Sequence, residues 1–218
     1  MPSIKKSSLV DQVYETLRGD IISLKLPLGS RLNVNELQKE LGVSCTPIRE
    51  AINRLQLEGL IINETNIGAR VLALDAHDIE EIQQLAMTLH CAAIHLAMER
   101  SDHAGLAEEV EKYQKEYLRA KSVQSEVAAV NQLVGVFYHR SGNRRLDKSM
   151  ISLQGQQLLL RYIFASCRED SRSEADFAPL LAALHDADAD AVCSVLQDYT
   201  DNCAPVILKY VRERGGGY

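Results

Sequence analysis

Apolar residues recur at helical spacing in three short segments near the start of the chain. The three stripes are formed by Val10, Val13, Leu17 and Ile21, then Val34, Leu37 and Leu41, and then Ile48, Ala51, Ile52 and Leu55. A spacing of three and four residues places each stripe on one face of an α-helix. The pattern therefore predicts three short amphipathic helices.

Turn and capping residues separate these helices. Gly42 follows the second stripe directly, where a C-terminal cap is expected. Asn33 followed by Glu36 predicts a variant of the capping box at the start of helix two. Thr46 and Pro47 suit the N-cap and the first position of helix three.

The segment after Gly59 changes character. The run LIINETNIGARVLAL has two β-branched stretches around Asn66 and Gly68, a composition typical of a hairpin. From Asp78 onward we find helical patterns and no comparable strand signal. The later helical segments are predicted near residues 123–141, 147–168, 173–186 and 188–212.

These elements predict a mostly α fold with two domains. Residues 1–74 form a winged helix-turn-helix of three helices plus a β-hairpin wing. Residues 78–214 form an all-α helical bundle.

Charge differs between the two predicted domains. The chain has 218 residues, of which 46% are hydrophobic, and a net charge of −6. Residues 1–72 contain nine Lys and Arg and eight Asp and Glu, so the acidic excess lies in the rest. The chain has no apolar run long enough for a membrane span and no signal-peptide core at its start, so we expect a cytoplasmic protein.

The chemistry-bearing residues give no sign of catalysis. The five cysteines are scattered without CxxC spacing, which favours reduced thiols over a disulfide framework or zinc ribbon. No nucleophile or paired carboxylate stands at a recognisable spacing beside a histidine. We therefore expect a protein that is not an enzyme.

A helix-turn-helix presents the N-terminal side chains of its second helix to base edges in the major groove. In this chain those side chains are Ser44, Cys45, Thr46 and Arg49. Arg49 follows the apolar Ile48, and its guanidinium can contact a phosphate or a guanine edge.

The stretch LGSRLNVNELQKELGVSCTPIREAINRLQLEGLI resembles the signature of the GntR family of bacterial transcription regulators. The resemblance covers roughly residues 8–72. The all-α region that follows is similar to the FCD type of effector domain in the FadR subfamily. The resemblance implies a homodimer in which Ser44, Thr46 and Arg49 contact double-stranded operator DNA and Gly68 is the wing tip.

Two residues depart from the family pattern. Many relatives have arginine where this chain has Asn35 and Cys45, so operator preference is expected to differ. The candidate phosphate contacts are Arg31, Lys39, Arg54 and Arg70, with Lys5 and Lys6 ahead of helix one.

The FCD resemblance also implies a site for a divalent metal. Aligned on the turn Ser141-Gly142-Asn143 and on the later helices, the four usual ligand positions hold Val130, Val134, Phe177 and Tyr199. These side chains are unsuited to a divalent metal, so we predict no metal and no cofactor. His90, His139 and His185 offer a surrogate set, although satisfied or surface histidines are favoured.

The same substitutions leave two interpretations of the bundle interior. It is packed core, or it holds a small organic effector. Gln157 and Arg161, four residues apart, can orient a carboxylate effector, although pairing of Arg161 with a surface acid is slightly favoured.

The function predicted from the sequence is an effector-controlled DNA-binding transcription regulator, with repression as the default. Two alternatives stay open. One is a metal-dependent FCD sensor whose ligands are misaligned here, and the other is a ligand-blind dimeric DNA-binding protein.

Overall fold

The computed structural model of the chain describes residues 8–64, 68–169 and 177–214. The elements are α1 (Leu9–Ile22), α2 (Val34–Leu41), α3 (Cys45–Leu57), β1 (Ile61–Glu64), β2 (Gly68–Val71), α4 (Ala76–Arg100), α5 (His103–Arg119), α6 (Val123–Ser141), α7 (Arg144–Cys167), α8 (Ala178–His185) and α9 (Ala189–Arg214). Strands β1 and β2 pair antiparallel. This order confirms the predicted fold class of a winged helix-turn-helix followed by a helical bundle.

The N-terminal unit packs α1 and α2 against α3. Ser8 caps α1 in a reciprocal capping box with Asp11. Leu17 and Ile21 of α1 and Leu55 of α3 are almost fully buried in one core. Because α3 is buried along one side only, its polar side remains available to a ligand. The predicted turn at Asn66 lies outside the described residues.

The predicted helix ends are partly right. Gly42 ends α2 with φ of 65°, the left-handed conformation that glycine adopts without steric cost. Asn33 caps α2, but Glu36 accepts a hydrogen bond from the Asn33 side-chain amide and not from its backbone. Thr46 is not the N-cap of α3, because that helix begins at Cys45 and Ser44 is the N-cap. Pro47 is tolerated as the third residue because amides of the first turn have no intrahelical partner.

The second unit is a helical bundle. Helix α4 packs on α6 and α9, and α6 spans the predicted residues 123–141. Helix α7 begins at Arg144, three residues before the predicted start, because Asn143 caps its first turn. The predicted helix near 173–186 is described only from Ala178, since residues 170–176 lie outside the description. Within the described ranges, no helix combines the length and hydropathy needed to span a bilayer.

The hydrophobic core is continuous across the predicted domain boundary. Leu60 and Val71 of the N-terminal unit share one buried cluster with Leu159 of α7 and Ile207 of α9. Gly155 of α7 lies so close to Leu60 that a Cβ built there would be 2.6 Å from the Leu60 Cγ. Helix α7 therefore packs against both the N-terminal unit and the bundle.

Candidate DNA interface and effector cavity

The start of α3 presents the side chains expected to read DNA. Ser44, Thr46 and Arg49 are exposed, while the intervening Pro47 and Ile48 are buried. Within the described part of the chain, Arg49 has no carboxylate within 4.0 Å. Its charge is thus available for a phosphate or a base edge.

The two positions that depart from the family pattern have different environments. Asn35 is exposed on α2, as a base or phosphate contact requires. Cys45 is only partly exposed, and its thiol donates a hydrogen bond to the Gln38 Oε1 at 3.0 Å. This bond joins α2 to the first residue of α3, so Cys45 also fixes the turn between the two helices.

The candidate phosphate contacts fall into two groups. Arg31 and Lys39 are exposed. Arg70 instead donates to the carbonyl oxygen of Gly29 at 2.9 Å. Lys5 and Lys6 lie outside the described residues.

Arg54 is engaged within the protein. Its Nη1 donates to the Asp11 carboxylate at 2.7 Å, and its guanidinium lies 4.0 Å from the centre of the Tyr14 ring. Hydrogen bonds from Arg54 and then from Ser8 lower the pKa of Asp11 to about 2. Arg54 thereby ties α3 to α1.

The predicted wing glycine opens β2. Gly68 is exposed, has φ of 96°, and has open space where a Cβ would stand. A side chain is disfavoured there by the backbone conformation and not by a neighbour. Gly68 thus allows the backbone of the wing to lie close to a ligand surface.

The structure brings all six predicted pocket residues together. Val130, Val134, Gln157, Arg161, Phe177 and Tyr199 line one inner cavity of about 40 Å³. Residues from α4 and α9 complete its wall, among them Met87 and Thr200. The positions found by counting along the sequence therefore converge in space.

A larger outer cavity of about 320 Å³ adjoins the inner one. The two cavities share His90, Val134, Gln157 and Arg161 as lining residues. The sequence interpretation did not assign His90 to this pocket. The sequence signal for this role is that His90 lies on the apolar face of α4. Helix α4 packs on α6, which carries Val130 and Val134.

Arg161 carries the positive charge at the junction of the two cavities. Its Nη1 donates to the Asn131 Oδ1 at 3.1 Å, and no carboxylate of the described residues lies within 4.0 Å. Burial lowers the pKa of Arg161 from its ordinary value, but an arginine stays charged at neutral pH. The surface acid favoured by the sequence interpretation is thus not found beside Arg161 in the described ranges.

His90 adds a polar but uncharged group. Its Nδ1 lies 2.9 Å from the hydroxyl of Tyr138, and the imidazole is buried. Desolvation, with a smaller contribution from Arg161, lowers the pKa of His90 to about 3. Desolvation also raises the pKa of Tyr138. Both groups are neutral at physiological pH and can hydrogen-bond a ligand.

The surrogate histidine set does not converge. His90 and His139 line the outer cavity, whereas His185 is exposed at the end of α8 and lines neither cavity. Within the ranges that the structure covers, no three His, Cys, Asp or Glu side chains are grouped to hold a metal ion.

Comparison with known proteins matches the N-terminal unit to a family model. Residues 9–71 match the family model described as "Bacterial regulatory proteins, gntR family". The uncharacterized HTH-type transcriptional regulator YdhC of Bacillus subtilis is 33% identical over 95 residues, which are 44% of this chain and 42% of that protein. The Nta operon transcriptional regulator of Aminobacter aminovorans is 28% identical over 192 residues, 85% of this chain and 82% of that protein.

A solved structure extends the likeness in fold to both units. A putative transcriptional regulator GntR from Rhodococcus sp. RHA1 superposes with a TM-score of 0.71 at 22% identity, covering 93% of this chain and 99% of that one. The relatives are named as regulators and not as enzymes, in agreement with the sequence prediction. The N-terminal winged helix-turn-helix therefore matches the GntR family model, and the chain is similar over most of its length to DNA-binding transcription regulators.

Proposed function

We propose that this regulator binds operator DNA as a homodimer, acts as a repressor in the bacterial cytoplasm, and is controlled by a small carboxylate bound at Arg161. Each protomer would place Arg49 and the start of α3 in the major groove and the wing at Gly68 beside the minor groove. The observation that carries the effector proposal is a partly buried arginine at the junction of two cavities.

The helical unit is proposed to be an FCD-type domain of the FadR subfamily. The support is the convergence of Val130, Val134, Phe177 and Tyr199, four positions chosen by counting from family motifs, on one inner cavity. Three of these side chains cannot ligate a metal. The site would therefore take an organic ligand where metal-dependent relatives hold an ion.

The geometry of the cavities favours a compact acid. The inner cavity of about 40 Å³ has room for a group the size of a few water molecules, such as a carboxylate. A planar guanidinium binds a carboxylate through two parallel hydrogen bonds, and Arg161 has no described acidic partner that would compete. The outer cavity of about 320 Å³ would hold the rest of the effector.

Helix α7 supplies the connection to the DNA-binding unit. Gln157 and Arg161 line the cavities, while Gly155 and Gln156 on the same helix contact Leu60 and Gly59. An effector that binds more tightly to one position of α7 would shift the population of DNA-binding arrangements. This coupling depends on differential affinity and not on tight binding alone.

The two alternatives are tested by the same measurements. A ligand-blind protein would show no stabilisation by any acid. A metal-dependent sensor would show stoichiometric metal in protein purified without chelator, which elemental analysis detects.

The effector proposal is tested by thermal unfolding of the full chain with a panel of aliphatic and aromatic mono- and dicarboxylates. An acid at 100 times its dissociation constant adds about 2.7 kcal/mol, which corresponds to a rise of about 5–10 °C in Tm. Arg161→Met should abolish the rise because methionine fills the space without donating hydrogen bonds.

Arg119→Met is the matched control, since Arg119 is exposed on α5 and lines neither cavity. It should respond to the acids as the original chain does. An equal Tm rise in Arg161→Met and the unmodified chain would show that the acids bind elsewhere.

A further inference from the structure

Two cysteine thiols meet across helices α4 and α9. Cys91 of α4 and Cys193 of α9 are both free and partly exposed. The Cys91 thiol is among the causes of the raised pKa of Cys193, so the two thiols are neighbours. Neither residue takes part in the DNA interface or in the lining of the two cavities.

Contacts on either side hold the two thiols in register. The His95 Nε2 of α4 lies 3.3 Å from the Asp190 carboxylate of α9, and the Thr200 Oγ1 of α9 lies 3.7 Å from the Met87 Sδ of α4. The two helices thus run antiparallel. On α4, Cys91 lies one helical turn after Met87 and one turn before His95. It therefore faces α9 between Asp190 and Thr200, the segment that contains Cys193.

Solvent reaches the pair from one side. Cys91 lines a surface groove between α4 and α9, together with Gln197 and Asp201. The other side of the pair packs against the buried bundle core. A small oxidant can therefore reach Cys91 while the helices remain packed.

We propose that Cys91 and Cys193 form a reversible intramolecular disulfide when the protein meets a peroxide. The oxidised form ties α4 covalently to α9. Since Met87 of α4 and Thr200 of α9 line the inner cavity, the bond fixes two walls of that cavity. The proposal concerns a modification and does not depend on the identity of an effector.

The reaction takes two steps. A thiolate at Cys91 attacks one peroxide oxygen, the O–O bond breaks, and the departing hydroxide takes up a proton as water, leaving a sulfenic acid. The Cys193 sulfur then attacks the Cys91 sulfur, the S–O bond breaks, and the departing hydroxide leaves with the Cys193 proton as a second water. Two thiols are oxidised to a disulfide and one peroxide is reduced to two waters.

The environment assigns the order of the two sulfurs. Desolvation, followed by the neighbouring Cys91 thiol, raises the pKa of Cys193 to about 12. Cys193 thus retains its proton at neutral pH. The first attack on peroxide is assigned to Cys91, which lines the surface groove, and Cys193 resolves the sulfenic acid. A thiol reductant reverses the bond by exchange.

The test treats the reduced full-length protein with hydrogen peroxide and measures its intact mass and non-reducing peptide map. The expected product is monomeric on denaturing electrophoresis, two hydrogen atoms lighter, and yields one linked peptide pair containing Cys91 and Cys193. Its Tm should rise by about 5 °C or more, because the bond constrains the unfolded chain. Dithiothreitol should reverse both changes.

Two variants separate this pair from the other cysteines. Cys193→Ala should lose the mass change and the Tm rise, whereas Cys167→Ala, which removes an exposed thiol at the end of α7, should retain both. A linked pair that contains neither cysteine, or Cys193 that alkylates fully after oxidation, would overturn the proposal. The peptide map of the unmodified chain decides the question even where Cys193→Ala fails to fold.

Discussion

His90 is a buried imidazole whose neutral form is built into the cavity wall. In the unfolded chain a histidine has a pKa near its ordinary value of 6.5, whereas desolvation lowers the folded-state pKa of His90 to about 3. Between these values the unfolded state binds one more proton than the folded state. The free energy of unfolding therefore falls as the pH is lowered from 6.5, by at most about 1.4 kcal/mol per pH unit from this residue.

His90→Asn is expected to remove this part of the pH dependence. Asparagine keeps a polar atom near the Tyr138 hydroxyl but does not titrate. From pH 6.5 to pH 5 the unmodified chain should lose up to about 2 kcal/mol more than the variant, measured by guanidinium unfolding at each pH. Tyr138→Phe is the control, since it removes the hydrogen-bond partner and leaves the imidazole buried. Parallel pH profiles for His90→Asn and the unmodified chain would show that His90 does not cause the decline.

At the scale of elements, α7 packs closely against the turn between α3 and β1. The close approach involves Gly155 on α7 and Gly59 in the turn. A Cβ on Gly155 would lie 2.6 Å from the Leu60 Cγ and 3.1 Å from the Glu58 carbonyl oxygen. The carbonyl belongs to the backbone and cannot move without shifting the end of α3. Gly155→Ala should therefore destabilise the protein by about 1–3 kcal/mol despite the better helix propensity of alanine.

Gly19→Ala provides the matched control for this substitution. Gly19 lies in α1, is exposed, and has nothing within 4 Å of an added Cβ. It should stabilise the protein by about 0.5–1 kcal/mol, as expected for glycine to alanine in a helix. Denaturant unfolding measures both changes, and a stabilised Gly155→Ala would contradict the proposed close fit of α7.

The elements differ in how far sequence determines them. The end of α2 was predictable because Gly42 alone supplies the left-handed conformation there. The start of α3 was misplaced by two residues because Ser44 and Thr46 are both good cap residues and Ser44 makes no side-chain cap bond. Contact between Gly155 and Leu60 joins residues 95 positions apart, and no local pattern encodes such a pairing.

Several of the residues that line the cavity were predictable from the sequence, but their hydrogen-bond partners were not. Arg161 and Gln157 were predictable because polar side chains interrupt an apolar helix. The hydrogen bonds of Arg161 to Asn131 and of His90 to Tyr138 were not, because each joins two helices whose relative rotation depends on packing. Sequence thus indicated which groups line the site, and the fold determined how they pair.

At the scale of the whole molecule, the nearly balanced charge of the N-terminal unit favours the proposed homodimer. Among its described cations, Arg18 pairs with Glu58, Lys25 with Asp20, and Arg54 with Asp11. Few charges therefore remain for phosphates in one half-site. Two linked half-sites raise the affinity because the second contact becomes intramolecular.

Arg31→Ala tests the number of protomers on the DNA through the salt dependence of binding. The Arg31 side chain is exposed and has no described carboxylate within 4.0 Å. Each lost phosphate contact reduces the slope of log K against log salt by about 0.9. A homodimer that uses Arg31 twice should therefore show a slope shallower by about 1.8, measured on a duplex selected in vitro with the full chain.

A control variant that loses one positive charge far from the DNA interface distinguishes a lost phosphate contact from a change in net charge. Arg145→Ala removes a cation from the exposed side of α7 and should leave the slope unchanged. A decrease of about 0.9 for Arg31→Ala would indicate one contacting protomer and contradict the symmetric homodimer, because two equivalent subunits must lose the contact together. An unchanged slope would instead place Arg31 away from the phosphates and shift the contact to the exposed Lys39 or to Arg49.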